Sequence, residues 1–395
     1  MKKILIIGAS ILQLPAIKRA KELGYYVGVV DYDPNAVGIP FADEYFNVST
    51  IDIDGVVKCA EGFCPDGIMT LATDMPMRSI AAACERLGLH GISFDTAVKS
   101  TDKAEMIKAF EAAGVEHPWY FIVRGTDELE KISSEITYPC ISKPTDNSGS
   151  RGVMLIESED ELRDAVAYSS KNGRSGGVIV EEYMKGPEVS VEIITLDGEP
   201  HVLNVTDKLT TGAPHFVEMG HSQPSALGEE NVERIRDLAK RAVRAVGIKN
   251  GPAHVEIMLT EDGPKMVELG ARMGGDCITT HLVPLSTGID MIEATIRIAC
   301  GERPDIVPKY DRGSAIRYFS AEPGIIKAID GVEEAYAING VKEISFVKTV
   351  GDELSDIGSS TDRIGFVIAE ASNVKEAVAV CEAAMARVKI TTERK

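Results

Sequence analysis

Short, wholly apolar runs alternate with amphipathic stretches over the first hundred residues. Residues 4–7 are Ile-Leu-Ile-Ile and stop at Gly8, which reads as a strand buried on both faces. Residues 14–23 carry helical spacing and close at Gly24. A second apolar run, 27–30, ends in Asp31; a helix is predicted over 52–61, a strand over 67–70 and a helix over 77–87 closed by Gly88. Strand and helix in regular alternation predict a doubly wound parallel sheet, because parallel neighbours need a crossover.

The pattern then loosens. A helix over 102–113, capped by Thr101 or Asp102, is followed by strands at 120–123 and 140–144 with a helix at 127–132 between them. A polar, glycine-bearing loop occupies 145–152, and a strand resumes at 153–156. Ser158 with Glu161 three residues on has the letters of a capping box. Strands are expected at 178–180 and 189–195, a turn at Asp197-Gly198, and a long amphipathic helix over 229–246. Residues 254–270 read as two apolar strands joined at Asp262-Gly263. The last hundred residues mix short strands (315–319, 342–349) with a final helix over 374–388, and no repeat or low-complexity segment interrupts the chain.

Composition narrows the function classes. A chain of 395 residues, 44% hydrophobic and 26% charged, is an ordinary globular protein of more than one domain. No apolar run approaches the ~18 residues of a membrane span, and Met1-Lys2-Lys3 leads straight into a strand without a signal-peptide pattern. A cytoplasmic protein without a membrane partner is expected. The net charge of -19 argues against nonspecific nucleic-acid binding. Seven cysteines, odd in number and lacking a Cys-x-x-Cys pair, predict reduced thiols rather than a disulfide framework or zinc site. Asp31 resembles the ribose-binding acid of a dinucleotide fold. However, the turn Gly8-Ala9-Ser10-Ile11-Leu12-Gln13 lacks the second and third glycines of the pyrophosphate cradle, so NAD is not expected.

Three stretches carry candidate chemistry. Glu256 and Glu268 sit one on each strand of the 254–270 hairpin and can face each other across it. Paired carboxylates repel unless a cation lies between them, and a hard divalent ion such as Mg2+ suits them; a solvated surface hairpin has the same letters. The loop with Ser148, Gly149, Ser150 and Gly152 can turn backbone N–H groups toward phosphate, with Lys143 just before it and Lys103 at a helix start. Glu181-Glu182-Tyr183-Met184, then Glu188, forms a strand end and linker with free backbone groups for an adenine edge and an acid for a ribose hydroxyl.

In this order the motifs resemble the ATP-grasp superfamily of carboxylate–amine ligases, over roughly residues 1–300. The stretch Thr206-Asp207-Lys208, with Phe216-Val217-Glu218-Met219-Gly220-His221, is similar to the bacterial L-amino acid ligases (dipeptide synthetases). The resemblance implies a fold: a Rossmann-like domain (1–98), an ATP-grasp domain of two α+β subdomains (99–300, lid about 115–185) and a C-terminal α+β module (301–395). It also implies ATP, Mg2+ (Mn2+ as the alternative) and small-molecule carboxylate and amine substrates, in a homodimer. Lys103 and Lys143 would contact ATP; Glu181, Glu182 and Met184 would frame adenine; Glu188 would hold ribose. Ser148, Gly149, Ser150 and Gly152 would close over the phosphates, a loop mobile without nucleotide and ordered with it. Glu256 and Glu268 would bind two Mg2+ ions, and Arg272 with Lys208 would face the transferred phosphoryl or acyl phosphate.

Glu218, His221 and Asp276 are expected at the amino-acid pocket, Asp276 favouring an amine-bearing substrate. His254 reads as packing or support for Glu256. Many family members have Asn two residues after the second metal glutamate, where this chain has Gly270. Two rivals share the motifs: a purine-type enzyme acting on a ribonucleotide, for which Arg78 and Lys18-Arg19 leave room, and a nucleotide binder without turnover.

Overall fold

The computed structural model describes residues 1–394 except 148, 150 and 214, with the backbone alone at 126 and 127. Strands β1 (Lys3–Ile7), β2 (Tyr26–Asp31), β3 (Glu44–Asn47) and β4 (Gly67–Met69) form a parallel sheet in the order β3-β2-β1-β4. Helix Leu14–Glu22 makes the crossover from β1 to β2 and helix Ile53–Phe63 that from β3 to β4, and Met77–Leu87 follows β4. Ile4, Leu5, Ile6 and Ile7 are all fully buried, as expected for a central strand covered on both sides. Asp31 accepts the Ala9 N–H at 2.7 Å and the Asp33 N–H at 3.0 Å, so its carboxylate is spent on holding the first turn.

A second, antiparallel sheet combines β5 (Tyr120–Val123), β6 (Cys140–Pro144), β7 (Met154–Ile156) and β8 (Val178–Glu182), in the order β5-β8-β6-β7. The helix Glu159–Asn172 covers it, burying Leu162, Ala165 and Val166. Its N-terminus departs from the expected capping box. The Ser158 side chain makes no cap, and the Glu161 carboxylate reaches one residue further back, to the Glu157 N–H at 2.8 Å. The acid still satisfies a free donor ahead of the first turn, so one half of the motif suffices here.

The remaining long strands are β9 (Glu188–Leu196), β10 (Glu199–Thr210), β11 (Glu218–Gln223), β12 (Gly251–Thr260), β13 (Gly263–Gly270) and β14 (Gly313–Tyr318). After them come β15 (Gly324–Asp330), β16 (Val341–Phe346), β17 (Glu353–Leu354), β18 (Gly365–Ala371) and β19 (Lys389–Glu393). Eight of these join in one sheet, β13-β12-β9-β10-β11-β14-β18-β16, and β17-β15-β19 make a small one. The helix Glu229–Val246 lays seven buried residues on the large sheet, among them Ile235 and Leu238. The large sheet does not stop near residue 300: β11 pairs with β14 from Gly220↔Arg317 to Gln223↔Ser314. Seven free cysteines are present, four of them buried.

Candidate active site

The hairpin β12–β13 sets the centre. Its loop is Glu261-Asp262, and Gly263 already pairs with Thr260 at φ +125, a conformation that suits glycine. A two-residue loop alone would put Glu256 opposite Val267. The register shifts between Glu256 and Ile257, so Glu268 lies opposite Glu256 instead. Two carboxylates are thereby aligned across adjacent strands, where unscreened like charges are unfavourable.

Lysines converge on them. Lys208, nearly fully buried, sends its Nζ to Glu188 at 2.6 Å, to Glu256 at 3.0 Å and to Glu218 at 3.6 Å. Burial works against its charge, but three glutamates outweigh burial and hold it well above the usual lysine range. Glu256 is held well below the usual range despite burial, by Lys208 and His254. Glu188 moves up, because burial and the like charge of Glu256 exceed its share of Lys208. Lys143 is paired with Glu181 at 2.6 Å, both almost inaccessible, and its charge is favoured by Glu181 and Glu268 against burial. Lys103 donates to Glu268 at 3.0 Å and to the Asn147 carbonyl at 2.7 Å; Asp102 caps its helix through the Ala104 and Glu105 N–H groups.

One cavity collects these groups. Lys103, Lys143, Lys208, Glu256 and Glu268 line it, with Glu181, Glu182, Met184, Glu188 and Glu218 around them and Gly149 at the loop. Met184 is buried at its wall. Gly149 and Gly152 have φ of +67 and +82. A Cβ on Gly152 would lie 2.7 Å from Asn172 Cβ and 2.8 Å from Pro144 Cγ, so only glycine fits. Ser148 and Ser150 lie outside the described residues. The Glu182 carboxylate is engaged by Lys265 of β13, at 2.9 and 3.0 Å, which leaves its backbone for any adenine contact.

Three residues are placed differently from the sequence expectation. Arg272 does not line this cavity. Its guanidinium forms a two-pronged pair with Asp74, at 3.0 and 2.9 Å, on the loop after β4. Asp276 is not a free acid awaiting an amine: Arg363 binds both its oxygens, at 2.7 and 2.8 Å. That pair and His221 hold Asp276 far below the usual carboxylate range against burial. His221 Nε2 stands 3.4 Å from Asp276, and its Nδ1 is buried without a partner among the described residues. His254 supports Glu256 at 3.3 Å and is itself held by Glu192 at 2.7 Å; against burial, Glu192 raises it to about 9.

Sequence reasoning missed Asp74, Lys265, Glu192 and Arg363. Asp74 follows the C-terminal end of a parallel strand, where ligands gather in such sheets, and that rule points to it. Arg363 has no local signal; only the tertiary fold brings it to residue 276.

The ATP-grasp domain family matches residues 136–280, and L-amino acid ligase C-terminal domain 2 matches residues 317–393. The chain carries an ATP-grasp domain and an L-amino acid ligase C-terminal domain. It therefore stands among the ATP-dependent carbon–nitrogen ligases, which use ATP and a divalent metal ion on small-molecule substrates. Alanine–anticapsin ligase of Bacillus subtilis (strain 168) is 29% identical over 316 residues. That match covers 74% of this chain and 66% of the relative, just under two thirds of its length. The structure of L-amino acid ligase from Bacillus licheniformis superposes with a TM-score of 0.85 at 25% identity, covering 100% of this ligase and 99% of that chain. Phosphoribosylglycinamide synthetase from Anaerococcus prevotii gives 0.81 at 25% identity, covering 99% and 100%. Among the described residues no helix is long and apolar enough to cross a membrane.

Proposed function

We propose that this ligase joins an amino acid, through its carboxylate, to a second amino acid or amine, releasing ADP and phosphate. The observation that carries the reading is the register of β12 and β13, which aligns Glu256 with Glu268 where Lys103, Lys143 and Lys208 converge. A sensor without turnover has little use for such an arrangement. The purine-type alternative shares the scaffold, but the match over residues 317–393 is to the amino acid ligases.

The donor set fits a hard divalent cation: two carboxylates on facing positions, of which Glu256 is strongly held in its charged form. Glu256 and Glu268 would hold Mg2+, with Mn2+ as the alternative, and the ion would neutralise phosphate oxygens as charge builds on them. The chain's own residues do the rest. Lys143 and Lys103 hold the phosphates, Met184 and the 181–184 backbone frame the adenine, and Glu188 takes the ribose. A substrate carboxylate oxygen attacks the γ-phosphorus; the bond to the β-phosphate oxygen breaks and ADP leaves, giving an acyl phosphate. Lys208 and Arg272 neutralise the developing charge, with Asp74 fixing the Arg272 fork. The amine nitrogen then attacks the acyl carbon, the bond to the phosphate oxygen breaks, and Glu218 accepts the nitrogen's proton. Loop 145–152 excludes water from the acyl phosphate.

The test is phosphate release with ATP, Mg2+ and amino acids supplied in pairs, with mass detection of any new amide. Glu268→Gln and Arg272→Ala should each abolish release while circular dichroism stays that of the parent. Full turnover in either variant removes the mechanism.

A further inference from the structure

A second cavity, of about 420 Å3, opens between the first parallel-sheet unit and the loop after β6. It continues from the nucleotide cavity, because Lys103, Asn147 and Glu268 line both. Its acids are already engaged. Asp74 holds Arg272, Glu268 accepts from Lys103, and the Asp146 carboxylate takes the N–H groups of Arg174 and Ser175 at 2.9 and 2.7 Å.

Two guanidiniums remain. Arg78 donates its Nε–H to the Thr101 hydroxyl at 2.8 Å and has no carboxylate within ion-pair reach among the described residues. The Arg174 side chain rests on the Asp146 carbonyl at 3.0 Å and on the Met75 sulfur, again without an ion pair. Beside them the Ser79 hydroxyl is 1% exposed and has no hydrogen-bond partner among the described residues. In a chain of net charge -19, Arg78 stands half-buried on the cavity wall with no carboxylate, and the exposed Arg174 feels only the longer-range attraction of the Asp146 carboxylate. A planar fork matches a carboxylate or phosphate better than any neutral group.

We infer that this cavity holds a substrate bearing an additional acidic group, bound by Arg78 and Arg174, while its reacting end reaches past Lys103 and Glu268 toward the transferred phosphoryl. The cavity is large enough for such a molecule. A neutral isostere would leave the half-buried Arg78 guanidinium and the buried Ser79 hydroxyl without an anion, which is how a polar site rejects analogues. The inference rests on the ligase reading and adds the class of one substrate to it.

The experiment compares acid with neutral partner in phosphate release with ATP and Mg2+. The pairs are L-glutamate against L-glutamine, L-aspartate against L-asparagine, and O-phospho-L-serine against L-serine, each with the same panel of second amino acids. The expected result is a kcat/KM for at least one acid about tenfold or more above its neutral isostere. The phosphoserine arm separates a phosphate-bearing substrate from a dicarboxylic one. Arg78→Gln and Arg174→Gln should each bring that ratio toward one, and Arg78→Lys should keep part of it. The ratio is independent of the folded fraction, so a poorly folding variant still reports. Equal use of neutral isosteres by the parent, or an unchanged ratio in both glutamine variants, overturns the inference and leaves the ligase standing. No release with any pair, acid or neutral, removes the ligase reading and this inference with it.

Discussion

Gly270 shows how one residue can depend on a distant part of the chain. A Cβ there would lie 2.8 Å from an Asp74 oxygen and 3.0 Å from the Arg272 guanidinium carbon. The space that a side chain would fill two residues after Glu268 is taken by Asp74, which arrives from the first sheet. Gly270→Asn should therefore push Asp74 off Arg272. A misplacement of about 1 Å at such a group costs on the order of 100-fold in rate, so phosphate release should fall by about that much, read against unchanged circular dichroism. Asp276 offers a stability counterpart. Its folded-state value lies below the ordinary 3.8, so the stabilisation is present above that pH and is lost as pH falls through the depressed value. Urea unfolding of Asp276→Asn should show a deficit of about 2 kcal/mol at pH 7, toward the low side for a buried pair because 27% of the side chain reaches solvent. The deficit should shrink steadily below about pH 4. The sequence alone could name Glu256, Glu268, Lys103 and Lys143, because spacing and chemistry agree there, whereas Lys208 is indicated only by the family resemblance. It could not see that Asp276 and Arg272 are already occupied, since their partners lie 87 and 198 residues away.

At the scale of elements, legibility follows periodicity. The helix at residues 229–246 was expected over the same span as Glu229–Val246, because its apolar stripe is long and Gly247 stops it in the left-handed conformation. The shift in register at Glu256 could not be read, because a bulge leaves no mark in an apolar run. Yet that shift decides which residue faces Glu256, so a local irregularity controls the chemistry. The capping box at Ser158 fails for the opposite reason: the letters are present, but Glu161 finds the N–H of Glu157 instead. The packing of the 229–246 helix gives a direct check. Leu238 is fully buried between the helix and the large sheet. Leu238→Ala should cost about 2–5 kcal/mol in urea unfolding, the range for truncating a well-packed core leucine. A cost below 1 kcal/mol would mean the helix is not seated as described.

At the scale of the whole molecule, the large sheet decides what can be removed. A module boundary near residue 300 was expected from the sequence, and we propose it as an evolutionary division. As a folding unit it is crossed by hydrogen bonds: β11, with Glu218 and His221, pairs along β14. Ile278 and Leu282, just beyond Asp276, pack in one cluster with Ile316, Tyr318 and Ile368. Arg363 adds its pair to Asp276, donates to the Glu218 carbonyl at 3.2 Å and stacks 3.8 Å from the Tyr318 ring centre. A chain ending at residue 310 would expose the unpaired edge of β11 beside the candidate amino-acid pocket and uncover that apolar cluster. It should lose the single cooperative unfolding transition of the parent, bind a hydrophobic dye and release no phosphate. Supplying residues 311–395 as a separate peptide should restore little, because the strand must re-enter the middle of a sheet at concentration-dependent cost. If the shortened chain instead melts sharply at the parent's midpoint, the strand pairing at Gly220–Gln223 carries no stability. The C-terminal region would then act on the pocket only through Arg363.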